Sequence, residues 1–356
     1  MDEELLLVPG PTPVAREVAA AGSRPMVNHR GPHFRALHAR VQAGLKYAFQ
    51  TESEVLVFPS AGTGMLEAAL VNCFSPGDRV LAASMGAFGL RFAEVARAFG
   101  LEVDLVEGEW GRALPPEVIV AAIRPDTRGV LLTFNETSTG ALLDLESVAR
   151  AVRAHTDALL LVDAVSGLGG ADLRMDAWGC DLVLTASQKA LAVPPGLGLV
   201  AVGPRALAAG QQARLPRFYW DFRAYHHGEV PYTPAVGLWY ALDAALERLR
   251  AEGLPAAFAR HRELATMVRA GFTAAGLPPL VPEAESSPTV TCLVGPEAAR
   301  LVTELEHRNI AVGGGMGPLK GKALRVGHMG SVTRQDLLAL FAAVDEILGT
   351  RALEAV

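Results

Sequence analysis

Cysteine is scarce. Only Cys73, Cys180 and Cys292 occur, an odd number, each in an apolar stretch and none in a CxxC spacing. That argues against a disulfide scaffold or a thiolate metal site and points to buried free thiols in a reducing compartment. Long apolar runs are also missing: Gly, Pro or charges interrupt every candidate before the roughly 20 residues of a membrane span. The net charge is -6 with no extended basic run, which argues against nucleic acid as a partner. The start, Met-Asp-Glu-Glu-Leu-Leu-Leu, lacks the basic, apolar layout of a secretory signal, and the end, Leu-Glu-Ala-Val, carries no peroxisomal or retention address. A cytoplasmic protein is the expectation. No metal is expected either: Gly31-Pro32 breaks any helical pairing of His29 with His33, and the adjacent His226 and His227 point apart in an extended segment. A GxSxG elbow for a serine nucleophile is absent.

What is present suits a large buried core: 50% of the 356 residues are hydrophobic and 20% charged. That length implies two domains. Short apolar strands are predicted at Glu54–Pro59, Arg79–Ala83, Glu102–Val106, Gly129–Phe134, Ala158–Asp163, Asp181–Ala186 and Gly198–Val202. Amphipathic helical patterns such as Gly89–Phe99 and Leu145–Thr156 separate several of them. This alternation predicts an α/β fold, a mainly parallel seven-stranded sheet with helices on both faces. Residues 211–234, rich in aromatics, Arg and His, show no period and read as a long functional loop. Beyond Gly253 the order is helix Pro255–Ala275, strand Thr289–Val294, helix Pro296–Arg308 and helix Thr333–Gly349, a smaller α+β domain.

Ligands bind such sheets beyond the C-terminal strand ends. Asp163 closes one buried strand there, and Lys189 follows another in Leu-Thr-Ala-Ser-Gln-Lys. A lysine able to form a Schiff base with an aldehyde, and a carboxylate able to keep a pyridine nitrogen protonated, are the pair that pyridoxal phosphate (PLP) chemistry needs. Ala61-Gly62-Thr63-Gly64 joins a strand to a helix, where free N–H groups make an anion site; the same turn equally serves as a plain connection. It lacks the Lys-Ser/Thr step of a P-loop. Gly196-Leu-Gly198-Leu-Val-Ala201 matches GxGxxA, but its glycines precede a strand where a dinucleotide site needs them to follow one. Asn135-Glu136-Thr137-Ser138-Thr139-Gly140 reads either as a capped turn or as hydrogen-bonding groups for a cofactor hydroxyl. Phe88 is placed to stack on a flat ring or to pack in the core. Arg325, inside an apolar segment, needs either an ion-pair partner or an anionic ligand such as a substrate carboxylate.

Together these blocks resemble the class V aminotransferases of PLP fold type I, and most of all the alanine–glyoxylate / serine–pyruvate aminotransferase group. The resemblance runs from Val-Pro-Gly-Pro-Thr-Pro-Val to Leu-Arg-Val-Gly-His-Met-Gly. It implies an N-terminal arm (1–16), a large PLP-binding domain (17–252) and a small C-terminal domain (253–356). It further implies that Lys189 carries the cofactor and Asp163 contacts its ring nitrogen. Phe88 would stack on the ring, Ser138 would lie near its hydroxyl, and Ala61, Gly62, Thr63 and Gln188 would hold the phosphate. Arg325 would clamp the substrate carboxylate, with the Gly10 backbone approaching it. Thr233 would reach the phosphate of a partner subunit in a homodimer. Some relatives have a tyrosine three residues before that threonine. Here Thr233 pairs with Val230, whereas matching on Tyr225 puts Gly228 at the threonine position.

The implied reaction is ping-pong transamination between a small amino acid, alanine or serine, and a small 2-oxo acid, glyoxylate or pyruvate. One carboxylate arginine is apparent; Arg30 is a candidate second anion contact or an interface residue. The alternatives are another class V PLP enzyme, such as a cysteine desulfurase using Cys292, or a non-catalytic PLP-binding protein.

Overall fold

The computed structural model describes residues 4–228 and 230–356. Seven strands form the central sheet in the order Glu54–Ser60, Gly196–Val202, Leu182–Ala186, Leu159–Asp163, Thr127–Thr133, Arg79–Ser84, Glu102–Glu107. The strands at Leu159–Asp163 and Leu182–Ala186 are buried along their whole length, which explains why they read as unbroken apolar runs. Gly196–Val202 lies antiparallel to both of its neighbours, and the remaining pairings within the sheet are parallel. Gly198 packs inside that strand against Met65, whose side chain occupies the place of a Cβ. The glycines of the GxGxxA match therefore serve strand–helix packing and form no phosphate loop.

Two apolar cores cover the two faces of the sheet. A third belongs to the C-terminal part, where the helices Leu254–Ala274, Ala298–Glu306 and Arg334–Leu348 pack on the sheet Val290–Val294, Ala323–Gly327, Gly313–Gly314. Helix ends follow local chemistry. Asp144 accepts the Ser147 N–H at the start of Leu145–His155, and Thr333 with Asp336 forms a capping box that opens Arg334–Leu348. Gly349, at φ 67°, ends that last helix in the left-handed conformation.

The arm is woven into this frame. Leu5–Leu6 pairs in parallel with Ile310–Ala311, Leu7 enters the third core, and the Gly327 N–H donates to the Leu7 carbonyl. The arm's first three residues lie outside the described ones. The segment read as a loop at 211–234 contains, among its described residues, a helical turn at Phe222–Tyr225 followed by a 3-10 turn at His226–Gly228, and is pinned down. Asn72 holds it at two points, donating to the Trp220 carbonyl (2.6 Å) and accepting the Phe222 N–H (3.0 Å). Among the described residues no helix is long and apolar enough to cross a membrane.

Candidate active site

Lys189, Gln188, Asp163, Phe88 and the Ala61–Gly62–Thr63 turn line one cavity of about 160 Å³ at the C-terminal ends of the parallel strands. Asp163 ends its strand fully enclosed and accepts the Val165 N–H at 2.9 Å. Burial dominates its titration and raises the pKa to about 6, with Glu136 adding to the rise and Lys189 opposing it. Lys189 is lowered to about 8, first by burial and then by the Arg325 cation, against the attraction of Asp163. A buried amine with a depressed pKa beside a buried carboxyl is the arrangement of a reactive lysine.

The arm completes the lysine's surroundings. Lys189 Nζ donates to the Pro9 carbonyl, Thr12 Oγ1 donates to the Lys189 carbonyl at 3.0 Å, and the Thr12 N–H donates to the Gln188 carbonyl at 3.2 Å. Gly10 adopts φ +114°, and a Cβ there would collide with the Lys189 amine, so only glycine fits. Its backbone lies against the Lys189 side chain. The bond between Gly10 and Pro11 is cis.

At the cavity's other end the Gly62–Cys73 helix opens with no side-chain cap, leaving its first N–H groups available. Gly62 lies so close to the end of the Asp163 strand that a Cβ would come within 2.7 Å of Val165 Cγ2.

Other expected residues stand differently. Ser138 is buried and does not line the cavity; its hydroxyl donates to Glu136 Oε1 at 2.6 Å and accepts the Ala87 N–H at 2.9 Å. Asn135 and Thr137, its neighbours, line the cavity instead. Arg325 has no carboxylate partner among the described residues. Its Nε donates to the Gly314 carbonyl (2.8 Å) and Nη1 to the Thr137 carbonyl (3.2 Å), which ties the C-terminal sheet to the cavity rim. Thr233 is exposed and absent from the cavity lining. Tyr225 is buried against Phe58 at 4.3 Å, and the Gly228 N–H is spent on Glu54 at 2.7 Å, so in the second register the tyrosine belongs to its own chain's core. Arg30 is exposed and absent from the cavity lining.

One cation escaped the sequence reading. Arg91 lines the cavity with its guanidinium over the Phe88 ring, 4.7 Å from the centroid, and forms no ion pair among the described residues. It lies one turn from Phe88 on the helix Ala87–Ala98, a spacing shared with ordinary surface arginines.

The class-V aminotransferase description matches residues 13–335. The chain belongs to the class-V aminotransferases. It is 40% identical to the L-aspartate–glyoxylate aminotransferase of Paracoccus denitrificans, over 98% of this chain and 92% of that one. It is 39% identical to a Synechococcus protein named as the small subunit of a soluble hydrogenase, over 98% and 93%. Among solved structures, an alanine–glyoxylate aminotransferase from Nostoc sp. superposes with a TM-score of 0.93 at 32% identity, covering 98% of this chain and 96% of that one. This class-V aminotransferase is thus a PLP-dependent enzyme of fold type I, within the alanine–glyoxylate / serine–pyruvate group. The residues present fit that cofactor. Asn135 Oδ1 and Gln188 Oε1, from two residues of the cavity wall, are buried without any hydrogen-bond partner in the protein, and the uncapped helix start suits a phosphate.

Proposed function

We propose that this class-V aminotransferase moves the amino group of a small amino acid, alanine or serine, to glyoxylate or pyruvate by a ping-pong route. The observation that carries this reading is Lys189, a buried amine brought to about 8 within the cavity that Asp163 also lines. PLP bound there supplies an electron sink for the substrate carbon. Lys189 would anchor the cofactor and, once released, would take the proton from the donor Cα in the first half-reaction and deliver one to the Cα of the carbon skeleton supplied by the oxo acid in the second. Asp163 holds a proton at the ring nitrogen. Phe88 covers the ring, Ser138 supports the hydroxyl side, and Gln188 with the Ala61–Thr63 turn holds the phosphate. Arg325, with guanidinium N–H groups left over after its two carbonyl bonds, receives the substrate carboxylate beside the Gly10 backbone.

A homodimer follows from the same reading: Thr233 is exposed on a segment that also presents Phe218, 79% exposed, as a partner subunit would require. A cytoplasmic location accords with three buried, unpaired thiols. Arg91 favours a second donor class, an acidic amino acid such as aspartate, because it adds an unpaired cation to the cavity wall. The desulfurase alternative loses ground at Cys292. That thiol is 1% exposed in the middle of a strand, and burial pushes its pKa up to about 12.

The deciding experiment is a half-reaction screen. Loaded enzyme is mixed with alanine, serine or aspartate, and loss of the lysine-bound cofactor's visible absorbance is followed together with release of the matching 2-oxo acid. Alanine or serine should react fastest; inertness toward every amino acid would favour a non-catalytic PLP-binding protein.

A further inference from the structure

The helix Ala87–Ala98, which presents Phe88, has no cap of its own: Gly86 precedes it, and no acidic residue lies in its first turn. Its first three N–H groups are satisfied from residues 47 to 51 positions away. Ala87 donates to Ser138 Oγ at 2.9 Å, Phe88 to Glu136 at 3.1 Å and Gly89 to Glu136 Oε2 at 3.1 Å. The same carboxyl group accepts the Ser138 N–H at 3.0 Å and the Ser138 hydroxyl at 2.6 Å. Glu136 is 0% exposed, and a Cβ on Gly86 would collide with the Ser138 hydroxyl and come within 2.8 Å of Glu136 Cγ. A buried carboxyl group persists only when its acceptor sites are filled, and here every donor comes from the helix start or from Ser138.

We propose that Glu136 is a positioning residue that locks Phe88 and Ser138 into one unit, fixing the ring-stacking side chain and the hydroxyl beside it relative to each other. The inference rests on the reading that Phe88 and Ser138 serve the cofactor. It also assigns direction to the Ser138 hydroxyl. That group has one proton, which goes to Glu136, and one lone pair already accepts the Ala87 N–H, so a further partner could only donate to the lone pair that remains.

The test compares Glu136→Gln with Glu136→Asp, which keeps the carboxyl group but withdraws it by one bond length, about 1.5 Å. Hydrogen exchange in the cofactor-free protein should accelerate about tenfold at residues 86–90 in both variants, the factor expected when one such bond no longer holds a local segment closed. In the loaded variants the visible circular dichroism per bound cofactor should weaken, and kcat/KM should fall by about 10²-fold while the visible absorbance is retained. Wild-type exchange at 86–90 together with wild-type dichroism in Glu136→Gln would overturn the proposal. So would global unfolding of both variants, which would make Glu136 a support of the whole core. Phe88→Leu separates the underlying reading. If it leaves cofactor dichroism unchanged, the stacking role of Phe88 fails, while the exchange measurement still decides whether Glu136 anchors the helix start.

Discussion

Replacing Lys189 with methionine should stabilise the cofactor-free enzyme at neutral pH, by an amount that fades as the solution becomes alkaline. The amine falls from 10.5 to about 8 on folding because burial disfavours its charged form. A depressed folded pKa means that the native state binds fewer protons than the unfolded one between these values, so stability rises with pH across that window and is lost as pH falls through about 8. The shift corresponds to about 3 kcal/mol at roughly 1.4 kcal/mol per tenfold in proton affinity. Methionine has similar reach and no charge, so it escapes that cost. Against this stands loss of the hydrogen bond to the Pro9 carbonyl, about 1 kcal/mol. The net expectation is about 2 kcal/mol in favour of Lys189→Met at pH 7. The assay is urea unfolding of both cofactor-free proteins at intervals from pH 6 to pH 10.5. The advantage should shrink through the window from about 8 to 10.5 and reverse at its upper end. A difference that is constant over the whole range would refute the argument, because the burial of a charge would then not be its source.

Asp163 behaves in the opposite sense: its pKa rises from 3.8 to about 6, so its contribution favours the folded state below 3.8 and is lost as pH rises through about 6. Asp163→Asn should therefore stabilise the cofactor-free enzyme above pH 6, read by the same unfolding curves, while lowering kcat by at least about 10²-fold. Gly62→Ala should weaken PLP binding, read by titration of the cofactor-free protein, because its Cβ is forced to within 2.7 Å of Val165 Cγ2; a clash of that kind costs about 1–3 kcal/mol. Arg325→Lys should reduce kcat/KM for the amino donor by about 10- to 100-fold, the worth of a charged hydrogen bond, with little change in cofactor retention. Thr333→Ala, which is not part of the cavity lining, should cost about 1 kcal/mol of stability through its lost cap and leave kcat unchanged.

Much of the site was legible because its signals are local. Lys189 and Asp163 follow apolar runs bounded by polar turns, and such runs become buried parallel strands whatever lies around them. Phe88 and the Ala61–Thr63 turn were found for the same reason. Ser138 illustrates the limit. Its segment was recognisable, yet which of its side chains face the cavity depended on a helix start some fifty residues earlier. Arg91 was hidden among ordinary helix arginines, since nothing in its spacing separates a surface cation from one that turns inward over an aromatic ring.

The direction of Gly196–Val202 was illegible for a related reason. An apolar run predicts a strand but not its polarity, which the connection and the neighbouring strands decide. The chain's own pattern of apolar runs, breakers and isolated charges determined the sheet, its helical layers and the lysine–aspartate pair at the strand ends. Only the tertiary structure decided that Pro9 and Gly10 close over an amine 180 residues away, that Arg325 reaches across to Thr137, and that Glu136 caps a helix it does not belong to. Periodicity reports the environment each residue needs, whereas contacts of this reach depend on how the finished elements pack.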